Sequence, residues 1–130
     1  FFDSLRRVAT HPRSQSFLAL LDGNPVGGGG IEVADIDGTR TSCLFGVSVL
    51  PEARRRGIQQ ALIAARVRCA HDRGARIACI GSKPGIPTER NAARLGFRMA
   101  YTKAVLALAG EGLVPSPYNE SGREPLLPPA

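Results

Sequence analysis

The chain has 130 residues, 43% of them apolar, and carries a net charge of +6. That is enough apolar material for one core and too little chain for two, so a single globular domain is expected. No run approaches the roughly 18 apolar residues of a membrane span, and Phe1 to Arg7 lack the charged-then-apolar order of a secretory signal, so a soluble, cytoplasmic protein with no membrane contact is expected.

Phe1 stands where an initiating Met would, which reads as a chain beginning inside a longer protein. Three cysteines, Cys43, Cys69 and Cys79, are odd in number and show no Cys-x-x-Cys spacing. They fit neither a disulfide framework nor a zinc site, and are expected to be buried small hydrophobes. With only His11 and His71 to add, no metal is expected.

In chain order, Ser16 to Leu21 reads as a strand closed by the turn Asp22-Gly23-Asn24-Pro25. A second strand, Val26 to Val33, contains Gly27 to Gly30. Glycines there mark a bulge or a close backbone approach, with a flexible linker as the alternative. After the turn Asp35 to Gly38, Thr41 to Leu50 is rich in apolar and β-branched residues and is expected to be a mostly buried strand ending at Pro51. From Ile58 the period changes: Ile58, Ala61, Leu62, Ala65 and Cys69 recur at helical spacing, with Gln59, Gln60, Arg66 and Arg73 on other faces. Gly74 is placed to end that helix. Ala75 to Ile80 reads as a buried strand, giving a strand-helix-strand unit with parallel strands. Thr88 is placed to cap a short helix, Glu89 to Leu95, closed by Gly96. Phe97 to Leu108 is a last strand candidate, and residues 110–130 form a Pro-rich tail expected to stay disordered. The expected fold class is α/β (α+β): a mixed, partly parallel central sheet with helices on both faces, over residues 1–109.

Chemistry concentrates where the third strand enters the helix. The first N–H groups of a helix have no intrahelical partner and lie at its positive end. Here they adjoin Arg54, Arg55 and Arg56, with Gly57 admitting close backbone approach. Such a turn suits a pyrophosphate; a solvated turn without ligand is the alternative. It is neither a Walker loop nor a three-glycine dinucleotide loop.

The segment Leu44 to Ile63 resembles motif A of the GNAT N-acetyltransferase family, Arg/Gln-x-x-Gly-x-Gly/Ala, with Arg54 and Gly57 at its first and fourth positions and Gln59 at the sixth. Thr88 to Phe97 is similar to motif B, where an Asn precedes a short helix ending in Gly-Phe. The resemblance spans about residues 16 to 108 and implies acetyl-CoA as co-substrate. It implies that Val47, Ser48 and Val49 offer backbone groups to the pantetheine arm. It further implies that Arg54, Arg55, Arg56, Gly57, Ile58, Gln59 and Gln60 cradle the pyrophosphate, and that Asn91 bonds the pantetheine or thioester region.

The implied reaction is transfer of acetyl to a primary amine that attacks the thioester directly, which requires an oxyanion donor, a base and an acid. The donor is expected among the Val47 to Val49 amides. Many relatives carry a Tyr where this chain has Ala92, so the acid is sought at Tyr101. Cys43 holds the strand position of a Glu found in some relatives, so Glu32 is the candidate base. Both Tyr101 and Glu32 also have ordinary readings, as a packed ring and a surface carboxylate. The acceptor is expected to be a small-molecule or peptide amine. A homodimer, or attachment to a preceding domain, stays open as a further partner. Two other functions stay in view: an acyl-CoA-binding domain without turnover, and a nucleic-acid-binding module. Residues 1–109 hold 16 basic and 8 acidic side chains, but few aromatics accompany the basic ones, so no nucleic acid is expected.

Overall fold

The computed structural model describes residues 2–106. The chain divides into two units, Phe1–Arg98 and Met99–Ala130. The first contains every helix and strand of the described residues. In order these are α1 (Phe2–Ala9), β1 (Ser14–Leu21), β2 (Asn24–Ile36), β3 (Thr39–Val49), α2 (Ile58–Asp72), β4 (Ile77–Ile80) and α3 (Pro87–Arg94), with a 3-10 turn at Pro51–Ala53.

The four strands form one sheet in the order β1-β2-β3-β4. The first two connections are two-residue hairpins. Leu21 pairs with Asn24 and Ile36 with Thr39. At both turns an Asp-Gly pair takes positive φ, 50° and 80° at Asp22 and Gly23, 47° and 77° at Asp37 and Gly38. Mirror-image turns of this kind match the twist of the flanking strands, and Asp-Gly is among the pairs that adopt them readily. β3 and β4 run parallel with α2 between them, so the sheet is mixed and partly parallel, as expected.

The glycine run lies inside β2 as a closely approached stretch beside two bulges, one at Val26 against β1 and one carried by β3 opposite Gly28 to Gly30. Registers shift between Gly28 and Gly30 against β3, and between Ala19 and Leu20 against β1. A Cβ at Gly27 would lie 2.7 Å from the Ser48 carbonyl oxygen, and one at Gly30 would lie 2.5 Å from the Phe45 ring.

The core forms where α2 covers one face of the sheet. Ile31, Val33 and Leu44 meet Ile63 and Ala70, with Phe17, Val67, Ala78, Ile80 and Phe97 around them. Burying a Leu or Ile side chain stabilises the fold by about 1.5–3 kcal/mol. The buried stripe of α2 is Leu62, Ile63, Arg66 and Ala70, while Ala61 and Ala65 are exposed. The helix is thus rotated by about one residue from the stripe expected, and Arg66 lies inside it. Alanines mark a face weakly, because their small side chains gain little from burial.

Strand alternation puts Leu18, Leu20, Cys43, Ile77 and Cys79 on the opposite face, where they are exposed. β3 is therefore buried on one face and open on the other among the described residues, not buried throughout. Cys43 and Cys79 are exposed, and only Cys69 is half-buried. The cause is the position of α2 on a single face of these strands.

Three smaller departures have local causes. A helix, α1, precedes the first expected strand and ends on Arg6 and Arg7, which suit its negative end. α3 starts two residues earlier than expected, at Pro87 after Ile86, because proline needs no hydrogen-bond partner in the first turn. Thr88 lies within α3 and makes no capping bond. The last strand is absent from residues 97–106, which pair with no other strand among the described residues. Residues 107–108 and the tail 110–130 lie outside the described residues. No helix among the described residues is long and apolar enough to cross a membrane.

Candidate active site

β3 leads directly into the basic turn. The Leu50 amide donates to the Val26 carbonyl, and the 3-10 turn beginning at Pro51 buries Ala53 as an anchor. Arg54 is extended and its Nε donates to the Val49 carbonyl at 3.3 Å. Arg55 and Gly57 then take positive φ, 61° and 76°. These two left-handed residues turn the chain into α2, whose N-cap is Gly57.

The start of α2 is left polar and unneutralised. Its first intrahelical bond runs from the Ala61 amide to the Gly57 carbonyl, so the amides of Ile58, Gln59 and Gln60 have no helical acceptor. No side chain caps them, and the first turn holds no acidic residue. Arg54, Arg55 and Arg56 are exposed alongside. Orphaned donors, the positive helix end and three guanidinium groups all favour negative charge at this point.

Next to it, β3 has a free edge. Its pairing with β2 continues to Val49 opposite Gly27, whereas its pairing with β4 stops at Leu44 opposite Ile80. From Phe45 to Val49 the edge on the β4 side carries no ladder among the described residues. Gly46, with φ of 61°, kinks the strand where the two part. An open pocket of about 340 Å³ lies at the far end of β3, lined in part by Gly27, Gly28, Ser48 and Val49.

α3 is tied to the helix start by side-chain amides. Gln59 Nε2 donates to Thr88 Oγ1 at 2.8 Å, and Asn91 Nδ2 donates to Gln59 Oε1 at 2.6 Å. Gln60 Nε2 donates to Asn91 Oδ1 at 3.1 Å. Asn91 thus has both amide atoms engaged, and one of its two N–H groups is not used in these bonds. Gln59, in place of a small residue, makes two of the three bonds between the two helices.

The two candidate catalytic residues fall in different surroundings. Glu32 is half-buried on the open face of β2, directly opposite Cys43, and its carboxylate pairs with Arg13 at 3.1 Å. Tyr101 lies in the second unit and is 80% exposed. Cys43 in turn pairs in register with Cys79. Cys43 is exposed as a residue, yet partial burial of its thiol pushes its pKa up, and the neighbouring Cys79 and Glu32 add to the shift by disfavouring another negative charge. Because only the thiolate is nucleophilic, alkylation of Cys43 by iodoacetamide should show a pH midpoint above the ordinary thiol value of about 8.5, and Cys79→Ser should bring it down. Peptide mass spectrometry of the labelled protein reads it; a midpoint at or below the ordinary value would refute the assignment.

One residue at this centre escaped the sequence reading. Arg66 is fully buried beneath the bulge, with Nη1 donating to the carbonyls of both Gly30 and Phe45. Its signal was available: it lies four residues after Leu62 and three after Ile63, on their face of the helix.

A profile of the acetyltransferase (GNAT) family matches residues 1–97. No curated protein matches the chain. Among solved structures it is similar to an aminoglycoside N-acetyltransferase, AAC(6')-Iy, in complex with CoA, at 23% identity and a TM-score of 0.69 over 84% of this chain and 86% of that one. It is also similar to a transcriptional regulator from Bacillus halodurans C-125, at 17% identity and a TM-score of 0.73 over 82% of this chain and 74% of that one. A third similar structure is a ribosomal-protein-alanine N-acetyltransferase from Brucella melitensis biovar Abortus 2308, at 18% identity and a TM-score of 0.67, covering 82% and 79%. At these identities the likeness is one of fold.

Proposed function

The chain belongs to the acetyltransferase (GNAT) family, and from that premise we propose that it transfers an acetyl group from acetyl-CoA to a primary amine, which attacks the thioester directly. The observation that carries this reading is the pairing of an uncapped, acid-free start of α2 with the free edge of β3 that runs up to it. The amides of Ile58, Gln59 and Gln60, with Arg54 to Gly57, suit a pyrophosphate. The backbone of Val47, Ser48 and Val49 suits an extended amide-bearing arm, which would pair there as a strand does. Asn91 keeps one N–H for the same arm. Together these groups would serve the pyrophosphate and the arm of acetyl-CoA, which supplies the activated acyl group.

For the acceptor, a small-molecule amine is the first choice and a peptide amine the second. Aminoglycoside acetyltransferases recur among the similar structures, and a ribosomal-protein-alanine N-acetyltransferase is among them too. Glu32, on the open face of β2 two residues after Gly30, is the proposed base, and Tyr101 the proposed acid. An amide from Val47 to Val49 would receive the developing oxyanion.

The test is a thermal shift with acetyl-CoA, followed by transfer to a panel of aminoglycosides, amino acids and peptide N-termini. Products should be read by mass spectrometry, because the exposed thiols of Cys43 and Cys79 would react with a thiol dye. Stabilisation by acetyl-CoA and at least one acetylated amine are expected. No stabilisation at millimolar acetyl-CoA would sink the cofactor reading; binding with no transfer across the panel would leave an acyl-CoA-binding domain.

A further inference from the structure

Arg66 is the only charged side chain among the described residues that is fully buried. It points from α2 into the sheet, and no carboxylate pairs with it among the described residues. Its Nε donates to the Leu62 carbonyl of its own helix at 2.9 Å. Its Nη1 crosses to the sheet and donates to Gly30 at 3.3 Å and Phe45 at 3.2 Å. Nη2 is buried too, with no hydrogen-bond partner. Room for the group comes from the glycine run, since a Cβ at Gly29 would lie 2.9 Å from Nη1. Burial pushes the guanidinium pKa down, so the charge is held against its solvation.

A buried cation without a counter-ion is a costly way to fill a core. Apolar replacements of buried charges are often neutral or stabilising. Three carbonyl dipoles offset part of the cost, but a methionine would avoid it. The position of those carbonyls indicates what the charge does. Gly30 and Phe45 face each other across β2 and β3, at the register shift that begins after Gly28. Phe45 follows Leu44, the last residue of β3 paired with β4, and precedes Gly46 with its positive φ. Arg66 therefore binds β2 and β3 together, one residue beyond the point where β3 leaves β4.

We propose that Arg66 is a positioning residue: by gathering the Gly30 and Phe45 carbonyls it holds the bulge that keeps the Val47–Val49 edge clear of β4 and open to the acyl-CoA arm. This rests on the cofactor reading above. Drawing these two carbonyls toward the guanidinium favours the irregular pairing over a flatter one, in which the buried charge would lose its acceptors. The polar group sits where a strand must be irregular to be useful, and a hydrophobic side chain has no donor with which to enforce that.

Two variants of the full chain test it from opposite sides of the contact. Arg66→Met removes the donors and keeps the bulk. Gly29→Ala keeps the charge and displaces it from the carbonyls. Ligand-free amide exchange over residues 45–49 and acetyl-CoA affinity by calorimetry are measured beside thermal stability. In both variants exchange at the bulge should rise, and acetyl-CoA should bind about tenfold more weakly or worse, the order of loss expected when a binding edge is displaced by a fraction of an ångström. Arg66→Lys, which keeps one donor head, should recover part of the affinity. If Arg66→Met unfolds, Gly29→Ala and Arg66→Lys still decide the question. Wild-type exchange and affinity in folded Arg66→Met, or in Gly29→Ala, would overturn the proposal and return Arg66 to core filling. Failure of the wild-type protein to bind acetyl-CoA would instead overturn the cofactor reading, and the ligand-free exchange would still judge Arg66.

Discussion

Gly57→Asp is expected to abolish stabilisation by acetyl-CoA while leaving the ligand-free protein folded. Gly57 caps α2 in the left-handed region, and a Cβ placed there meets nothing within 4 Å. The new side chain therefore has space. Its backbone strain, about 1 kcal/mol, is offset in part by a carboxylate at the positive end of the helix, worth roughly 0.3–1 kcal/mol. The same carboxylate occupies the orphaned amides and repels a pyrophosphate. A ligand at about 100 times its Kd should raise the wild-type melting temperature by roughly 10 °C, and Gly57→Asp should show none of that shift. Differential scanning fluorimetry with and without acetyl-CoA reads both quantities. If the variant were stabilised as much as the wild type, the α2 start could not be the phosphate site.

The second large effect is on the fold. Gly27→Val should lower stability by about 3 kcal/mol, and the melting temperature by roughly 10 °C, because its Cβ meets main chain that cannot yield. The nearest atoms are the Ser48 carbonyl oxygen at 2.7 Å and Val49 Cα at 3.4 Å, both on the partner strand. β2 and β3 must separate there, beside the edge proposed to hold the acyl-CoA arm, so acetyl-CoA binding should weaken too. Gly81→Ala is the control: its Cβ meets nothing within 4 Å and its φ is not positive, so a change within about 0.5 kcal/mol is expected. Equal stability of Gly27→Val and wild type would mean that β2 approaches β3 less closely than described.

Much of the site was legible because its signals are local. The Asp-Gly turns, the glycine run and the passage from Pro51 through Gly57 into Ile58 each rest on backbone preferences of a few neighbouring residues. The order of basic turn, helix, strand and second short helix was readable for the same reason. Other features depend on what lies across the chain. Thr88 looks like a cap until Gln59, far away in sequence, is seen to bond its hydroxyl. Arg66 looks like a surface residue until the stripe of α2 is known to run through Leu62, Ile63 and Ala70. Cys43 and Cys79 look like core residues until α2 is found on one face of their strands only.

By itself the sequence determined which segments turn, which extend and where a helix begins with unpartnered amides beside three arginines, because those outcomes follow from the conformational energies of adjacent residues. Only the tertiary structure decided that the edge of β3 stands free of β4 from Phe45 to Val49, that Gln59 ties α3 to that helix start, and that a buried arginine holds β2 and β3 together beside the point where β3 leaves β4. Those outcomes are set by register and packing between distant segments, where the same residue types are compatible with several arrangements until the chain has closed on itself.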